Sequence, residues 1–416
     1  MKTLKLSPVR PGRTLHDFIE FPKKLYAGNG QYVPDMDSDV RGLFDPAKNK
    51  ALAFSELEGF VAYDGEKPVG RVLAIINHHA NKSWKAKVAR FGYFDFVDDK
   101  EVSRALLDAV SQWGGERGMD TIQGPLGLTD YDKEGMLMSD YGLMGSMETY
   151  YNYPYYPMHM EALGFGTAAD WISIRVAVPK EIPQKYARVS KLSQEMFGFR
   201  VRTLSKKEIK QGYIYKVFSL LNEAFAPLFG FTPFTKEQAV EFMRLYLPVI
   251  SMDMIPVVEN DKGELLAIAI TTGSLSHALR HSHGRLYPWG WYHLLRALKW
   301  KREDTVDLLL IAVRPDLQGL GLTAMLFAHL VPVYNHYGFR WAETGPQLVN
   351  NVKELSQWKA LNPEYVKKRR CWEKKIGVKD TETESAAALA DDRQDKRRHT
   401  EDSTGDRQTG NLGKRY

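Results

Sequence analysis

A glycine-rich loop between an apolar strand and a helix is the segment of the sequence most suited to chemistry. The apolar run Val306–Val313 is followed by Pro315, and the loop Gln318–Thr323 then opens a helical pattern that reaches about Tyr337. Glycine lets a backbone approach a phosphate group without a Cβ collision. The free N–H groups and the dipole of a helix start favour an anion at the same place. The segment therefore predicts a phosphate-binding loop, with an ordinary strand–turn–helix as the alternative interpretation.

The whole run is more specific than its glycines. Residues 311–323, IAVRPDLQGLGLT, resemble the pyrophosphate loop of GNAT acyltransferases, in which a strand ending in Val-x-Pro precedes Gln/Arg-x-x-Gly-x-Gly/Ala and a helix. Thr323 stands where that pattern has Gly or Ala. The resemblance implies acyl-CoA or acetyl-CoA as cosubstrate and no metal. The cofactor-binding positions it implies are Ile311, Val313, Gln318, Gly319, Leu320, Gly321, Leu322, Thr323 and Asn351.

The same resemblance implies acid and base positions. Asp307 stands six residues before Val313, where related enzymes carry a general-base carboxylate, and Glu343 ends the next predicted strand as a second base. A carboxylate beside a water-poor cleft has a raised pKa and accepts an amine proton; the alternative for Asp307 is a solvated strand end. Seven residues after Asn351, where the family has a Tyr acid, this sequence has Trp358. Tyr365, and after it Tyr337, are the replacement candidates.

The elements that must position these residues occur in the same order twice. Each half shows strands, a helix after an apolar strand, a short strand and a closing strand. We therefore predict an α/β (α+β) fold of two tandem GNAT-type domains, each a mixed sheet with flanking helices. The predicted bounds are 1–180 for a degenerate N-terminal domain, 181–376 for the domain with the acyl-CoA site, and 377–416 for a disordered tail that has too few apolar residues to pack.

The N-terminal domain lacks a phosphate loop. Where the glycines should stand, the sequence has Val97–Glu101, with three carboxylates that would repel a pyrophosphate. We expect that half not to bind CoA.

Two further segments are unusual in composition. Trp291–Arg302 predicts a cationic helix with a Trp and Leu stripe, which suits peripheral contact with an anionic membrane, or else packing on the core. Residues 149–160 contain a dense run of tyrosines that either lines an acceptor pocket or packs between domains. The nearby loop acids Asp130, Asp132 and Glu134 are candidates for holding an ammonium group.

Composition limits the other possibilities. The 416 residues carry a formal charge of +6 and one cysteine, Cys371, so no intramolecular disulfide can form. We see neither a secretory signal nor a transmembrane run. These features favour a cytoplasmic protein, with peripheral contact at the inner membrane face through the cationic helix.

The function expected from all of this is transfer of an acyl group from acyl-CoA to a primary amine. The tyrosine run, Tyr-Asn-Tyr-Pro-Tyr-Tyr, also resembles tandem GNAT proteins linked to bacterial ceramide synthesis, which implies a lipid amine or long-chain base as acceptor and a place in lipid metabolism. Two alternatives stay open. One is a Fem-like transferase that uses aminoacyl-tRNA, although the intact loop makes nucleic acid the less favoured partner. The other is a non-catalytic acyl-CoA-binding protein, which Trp358 would permit.

Overall fold

We describe residues 4–129, 132–247, 251–300 and 303–377 of a computed structural model. Residues 1–374 form one compact unit. Of a second unit, from residue 375 onward, only the first three residues are described: the last of a strand and the start of a turn. The predicted disordered tail, apart from Gly377, lies outside the described residues.

The first half of the chain is built around strands that follow one another closely. Helix α4 follows strand β4 and begins where the side chain of Asp99 accepts a hydrogen bond from the N–H of Glu101. The elements of this half are β1 (Leu4–Pro8), α1 (Arg13–Leu25), α2 (Asp37–Gly42), β2 (Ser55–Asp64), β3 (Lys67–Asn77), α3 (His78–Trp84), β4 (Val88–Phe96), α4 (Lys100–Gly115), β5 (Thr121–Gly124), β6 (Met136–Leu137), α5 (Tyr155–Ala162) and β7 (Gly166–Ala177).

The second half repeats this order with an added pair of helices before its first hairpin. Its elements are α6 (Gln184–Phe197), β8 (Arg200–Thr203), α7 (Lys206–Glu208), α8 (Ile214–Phe225), α9 (Lys236–Tyr246), β9 (Pro256–Glu259), β10 (Leu265–Gly273), α10 (Ser276–Ser282), α11 (Gly290–Leu295), β11 (Thr305–Val313), α12 (Leu322–His336), β12 (Trp341–Thr344), β13 (Gln347–Leu348), α13 (Val352–Gln357) and β14 (Glu364–Lys375).

All of these strands belong to one mixed sheet. Its order is β1-β2-β3-β4-β5-β14-β7-β12-β11-β10-β9-β8, with β13 paired to β7 and β6 paired to β14. The closing strand of the first half, β7, pairs with β12 of the second half, and β14 at the end of the chain lies between β5 and β7. Each half is thus completed by a strand of the other. The predicted boundary at 180/181 falls between β7 and α6, and the division into two domains there stays a prediction.

The predicted order of strands and of the two long helices, α4 and α12, is confirmed. Sequence reasoning missed α1, α2, α3, α5, α6, α7, α9, α10 and α13. The predicted helix Trp291–Arg302 is helical over its described residues: α11 ends at Leu295, and a π-helical turn, Arg296–Trp300, continues it directly. Lys301 and Arg302 lie outside the described residues. Of the predicted stripe, Leu294, Leu295 and Leu298 are half-buried, which leaves Trp291 as its exposed member.

The second half of the sheet is covered by helices on both faces. On one face α12 and α6 pack against Val306, Leu308 and Ala342 in a continuous apolar core. On the other face α8 and α9 pack against Ile268, Ile270 and Ala312. Since neighbouring residues of a strand point to opposite faces, Asp307 and Glu343 lie on the face away from α12. Among the described residues, no helix is both long enough and apolar enough to cross a bilayer.

Candidate functional site

The loop between β11 and α12 has the backbone that its glycines predict. Gly319 and Gly321 have φ angles of 89° and 86°, in the left-handed region that favours glycine. Gly319 faces open space, whereas a Cβ on Gly321 would lie 2.4 Å from Ser193 Oγ of α6. The Ser193 hydroxyl donates a 2.7 Å hydrogen bond to the carbonyl of Leu320. The loop is thus fixed to α6 on one side and open on the other.

This open side carries a group of unpaired donors. Within the described residues, no backbone carbonyl or side chain accepts a hydrogen bond from the N–H groups of Gly319, Gly321, Leu322, Thr323 or Ala324. Met325 is the first to bond back, to the carbonyl of Gly321. Such a group of N–H donors at the start of a 15-residue helix suits an anion of phosphate type. The residues therefore fit the pyrophosphate of a CoA molecule.

Strand β11 pairs with β12 over only the first half of the length of β11. The two strands pair in parallel only from Thr305 to Leu308. Directly after this, Leu309 is an extra residue against β10, because Ile270 pairs with Leu310 and Thr271 with Leu308. A bulge of this kind bends a strand and changes its pairing. A gap therefore opens between β11 and β12.

The backbone of β11 lines this gap with donors. The N–H of Arg314 bonds to the carbonyl of Leu266 on β10, and in an antiparallel pair this orientation alternates along the strand. The N–H groups of Ile311 and Val313 therefore point away from β10, toward the gap. This is the position in which the sequence placed them, next to the free donors of the Gln318–Thr323 loop.

The two predicted bases lie side by side at the closed end of the gap. Asp307 and Glu343 occupy opposite places on β11 and β12, and their side chains share one face of the sheet. Asp307 is buried, its Oδ2 has no hydrogen-bond partner among the described residues, and burial raises its pKa well above the usual range. Glu148 and Glu343 raise that pKa further by repulsion. The carboxyl group of Asp307 therefore favours its protonated form more strongly than an ordinary Asp does.

A third carboxylate, Glu148, was not found from the sequence. A Cβ on Gly345, just past the end of β12, would lie 3.6 Å from Glu148 Oε2 and 3.8 Å from the carbonyl oxygen of Leu309. Glu148 thus borders the bulge that opens the gap. Removal from water, and repulsion from Glu343, raise its pKa from 4.5 to about 7. It is a carboxyl group that changes charge near neutral pH.

Two cationic side chains of β14 lie next to the carboxylate cluster formed by Asp307, Glu343 and Glu148. Strand β14 bulges away from β7 after Val366, and Lys367 in that bulge has φ 52°. Its buried ammonium group pairs with Glu343. Arg369 donates to the carbonyl of Tyr150 at 2.6 Å and to Thr149 Oγ1 at 2.9 Å, on the two residues that follow Glu148. The last strand thereby ties a segment of the first half to the gap in the second.

The structure does not bring the proposed acids to this cluster. Tyr365 is half exposed and pairs with Ile174 of β7, whose side chain packs on the α12 face of the sheet. The side chain of Tyr365 therefore lies on the α12 face, whereas that of Asp307 lies on the opposite face. Tyr337 follows the C-terminal end of α12, about 22 Å from the loop at 1.5 Å per residue, and donates to Asp253. Trp358 is 1% exposed and packs against Phe327 in the core.

Asn351 has a local structural role. Its side-chain oxygen accepts a 3.4 Å hydrogen bond from the N–H of Glu354 and caps α13. The capping of α13 therefore accounts for an Asn at this position without a bound ligand. Its predicted part in binding CoA stays a prediction.

The corresponding loop of the first half is occupied by its own side chains. Asp98 is 2.9 Å from His159 Nε2, and Asp99 caps α4 through the N–H of Glu101. The side chain of Asp99 thus satisfies one of the N–H donors that a phosphate at this helix start would need. That the first half does not bind CoA stays a prediction.

The tyrosine run packs inside the first half. The Tyr156 and Tyr26 hydroxyls lie 2.9 Å apart, Tyr26 also donates to Asp95, and Asp95 pairs with Arg71. These phenols are satisfied within the core, which favours packing over an acceptor pocket. Of the three loop acids, Asp130 lies outside the described residues, while Asp132 accepts hydrogen bonds from Thr129.

Comparisons with known proteins agree with this geometry. No family model matches the chain. Over 361 residues it is 23% identical to the bacterial ceramide synthase of Caulobacter vibrioides, which covers 84% of this chain and 93% of that protein. Over 315 residues it is 24% identical to protein YghO of Escherichia coli, covering 73% of this chain and 77% of that one.

Solved structures give the same result for the fold. A tandem GNAT protein from the clavulanic acid biosynthesis pathway superposes with a TM-score of 0.54 at 14% identity, covering 91% of this chain and all of that one (100%). A GCN5-related N-acetyltransferase from Sphaerobacter thermophilus superposes with a TM-score of 0.50 at 13% identity, covering 89% and 96%. The chain therefore has the tandem GNAT fold that the Gln318–Thr323 motif predicts, and over most of its length it is similar in sequence to a bacterial ceramide synthase.

Proposed function

We propose that this protein is an acyltransferase that moves an acyl group from acyl-CoA to the nitrogen of a primary amine. The observation that carries the proposal is the gap in β11–β12, whose free N–H groups adjoin the phosphate-type loop Gln318–Thr323. Acyl transfer from a thioester requires that its carbonyl group be polarised and that the CoA carrier be bound. This arrangement supplies hydrogen-bond donors for the carbonyl oxygen and for the pyrophosphate of CoA.

The backbone donors act on the carbonyl oxygen. When the amine nitrogen attacks, negative charge develops on the thioester oxygen, and fixed N–H groups stabilise it without reorganisation. Ile311 and Val313 present such groups in the gap. The carbon–nitrogen bond forms, the carbon–sulfur bond breaks, and the sulfur leaves as a thiolate of CoA.

Glu148 is the group suited to accept the amine proton. Its pKa of about 7 leaves a large ionised fraction at neutral pH, and a base with a pKa near the working pH is efficient. Burial makes Asp307 favour its protonated form, and Glu343 pairs with Lys367. Glu148 therefore takes the role for which the sequence offered Asp307 or Glu343, and repulsion from Glu343 helps to raise its pKa.

An apolar cavity on the same sheet face would take the acyl chain. It lies between α8, α9 and β10 and has a volume of about 40 Å³, so its walls would have to move apart to admit an acyl chain. Ile270 in its wall pairs with Leu310, next to the bulge that opens the gap. Apolar side chains from these elements and from the segment before β9 line it: Leu204, Ile209, Ile214, Val217, Met243, Leu247, Met252, Ile255, Ile268 and Ile270. A chain longer than acetyl would bury its methylene groups there.

The similarity to a protein named bacterial ceramide synthase supports a lipid amine, such as a long-chain base, as the acceptor. One observation favours a different function: Trp358 replaces the family's Tyr acid and is buried, which suits a protein that binds acyl-CoA without turnover. A Fem-like transfer from aminoacyl-tRNA is less favoured, because the phosphate-type loop is intact.

The test is release of free thiol from acetyl-CoA and palmitoyl-CoA, with and without a long-chain base. We expect amine-dependent thiol release and an amide product detected by mass spectrometry. Acyl-CoA binding without thiol release would support the non-catalytic protein, and salt-sensitive binding of tRNA in place of acyl-CoA would support the Fem-like one.

A further inference from the structure

A cluster of exposed aromatic side chains projects from the turn between α10 and α11. Tyr287 is 77% exposed and Trp289 69%, and Leu286, Trp291 and Tyr292 are 38–44% exposed. Five large apolar or aromatic side chains thus face water within seven residues, at a place where a globular surface would ordinarily bury them. We call Leu286–Tyr292 the aromatic turn.

The scaffold under the aromatic turn is well fixed. Gly290 lies so close to the carbonyl of Arg285 that a Cβ would be 1.7 Å from it, and the N–H of Trp291 bonds back to the carbonyl of Leu286 at 2.9 Å. Arg285 pairs with Glu20 of α1 at 2.9 Å. The aromatic side chains are therefore held outward by a tight backbone.

The sequence that surrounds the aromatic turn carries positive charge only, from residue 265 to residue 302. From Leu265 to Arg302 there are six Lys or Arg residues and no Asp or Glu. Arg296, directly after α11, is exposed and forms no ion pair with a described residue. Arg285 is neutralised by Glu20 at 2.9 Å and by Asp37 at 3.8 Å. Tyr and Trp beside an unpaired cation are side chains that settle at the interface of an anionic bilayer, because each has an apolar body and a polar edge.

We propose that the aromatic turn inserts into the interface of an anionic lipid bilayer. Tyr287 and Trp289 would enter the headgroup region, and Arg296 would remain at the level of the lipid phosphates. A second copy of this chain fits less well, because the cations of one copy would face those of the other.

The position of the turn links this surface to the site. Thr272 of β10 pairs with Asp307 of β11. Two residues later Ser274, whose hydroxyl donates to Ser276 Oγ at 3.2 Å, leads into α10, and α10 leads into the aromatic turn. Glu303 on the other side of the same segment accepts from the N–H of His277 at 2.9 Å. A bilayer at the aromatic turn would thus be near the face of the sheet that carries the carboxylates. Membrane binding itself does not depend on the proposed acyl transfer.

The experiment is co-sedimentation of the full chain with vesicles of phosphatidylcholine alone and with 30% phosphatidylglycerol added. We expect binding to the anionic vesicles that weakens as salt rises. The double variant Tyr287→Ser/Trp289→Ser should lower the apparent partition coefficient at least about tenfold, since both positions lose apolar area. Arg296→Glu should weaken binding to anionic vesicles only.

Control variants distinguish binding through the aromatic turn from nonspecific hydrophobic binding to vesicles. Met196 and Tyr215 are 69% and 46% exposed on α6 and α8, so Met196→Ser/Tyr215→Ser removes comparable exposed area elsewhere and should leave binding unchanged. Absence of wild-type binding would overturn the proposal, as would equal loss in both double variants. A wild-type dimer that the aromatic-turn variant converts to a monomer would show instead that the turn joins two copies.

Discussion

Asp307 and Glu343 lie directly opposite each other on β11 and β12, with both carboxyl groups on the sheet face away from α12. Two adjacent carboxylates repel each other when both are ionised, and the repulsion is stronger where one is buried. Two features offset this repulsion: Lys367 pairs with Glu343, and burial raises the pKa of Asp307, which favours its protonated form. Glu148 is left as the member of the cluster that titrates near neutral pH.

Replacing Glu148 by Gln should remove most of the turnover. The amide has nearly the same shape but accepts no proton, and loss of a general base costs about 10²–10⁴-fold in rate. The wild-type rate should rise with pH through about 7, and the residual rate of Glu148→Gln should lack that limb. Rates from pH 5.5 to 8.5 for both proteins provide the check, and an unchanged pH profile would exclude Glu148 as the base.

The same substitution should stabilise the fold at alkaline pH. The pKa of Glu148 is about 7 in the folded protein against 4.5 for an ordinary Glu, so the folded state holds a proton that the unfolded state has lost. Wild-type stability therefore falls as pH rises from about 4.5 to 7. Glu148→Gln escapes this loss, and its free energy of unfolding should exceed that of wild type by roughly 1–3 kcal/mol at pH 8, with little difference at pH 4.5.

Replacing Gly321 by Ala should destabilise the protein more than replacing Gly319 by Ala. A Cβ at Gly321 would meet Ser193 Oγ at 2.4 Å and Val189 Cγ1 at 2.5 Å, whereas Gly319 has open space. Both have positive φ angles, so both alanine variants carry backbone strain of about 1 kcal/mol or more. Gly321→Ala should lose a further 1–3 kcal/mol or so by overpacking, seen as a lower unfolding midpoint than that of Gly319→Ala. Equal midpoints would contradict the contact between the loop and α6.

Restoring the family's Tyr at position 358 should not increase turnover. Trp358 is buried against Phe327 and lies in the core on the α12 face, so a phenol there would not reach the carboxylate cluster. Trp358→Tyr should instead lower the free energy of unfolding by roughly 1–3 kcal/mol, since a smaller ring leaves a void and its hydroxyl enters an apolar core. A clear gain in kcat would show that position 358 does face the leaving thiolate.

Filling the apolar cavity should separate long from short acyl donors. Val217 lines the cavity from α8 and is 3% exposed. Val217→Phe should lower kcat/KM for palmitoyl-CoA much more than for acetyl-CoA, which serves as the internal control for correct folding. An equal fall for both donors would mean that the acyl chain does not enter this cavity.

The sequence was most informative where chemistry depends on neighbours along the chain. The loop Gln318–Thr323, its strand and its helix form a continuous segment, so its resemblance to the GNAT pyrophosphate loop could predict a glycine turn between a strand and a helix. Alternating apolar runs also predicted the strands of both halves, because each strand buries side chains in a regular pattern.

The sequence was least informative where the two halves meet. Glu148 precedes Asp307 by 159 residues, and Lys367 reaches Glu343 only because β14 bulges and lies beside β7. Exchange of the closing strands is a consequence of tertiary packing and leaves no local pattern. The predicted repeat of elements therefore gave the main strands of each half in order but missed several helices and how the halves complete each other. The tyrosine run left an acceptor pocket and packing between domains both open, and its hydroxyls instead find partners inside the first half.

The most direct test of the account is acyl-CoA binding by Gly319→Glu. Gly319 faces open space beside the free N–H groups, so a carboxylate there should repel the pyrophosphate without disturbing the core. Gly65→Glu is the matched control, because Gly65 also has a positive φ, 60°, and open space, in the turn between β2 and β3. Wild type and Gly65→Glu should show a rise in unfolding midpoint with palmitoyl-CoA, by mass action. Gly319→Glu should show none. Undiminished stabilisation of a folded Gly319→Glu by acyl-CoA would contradict the assignment of this loop.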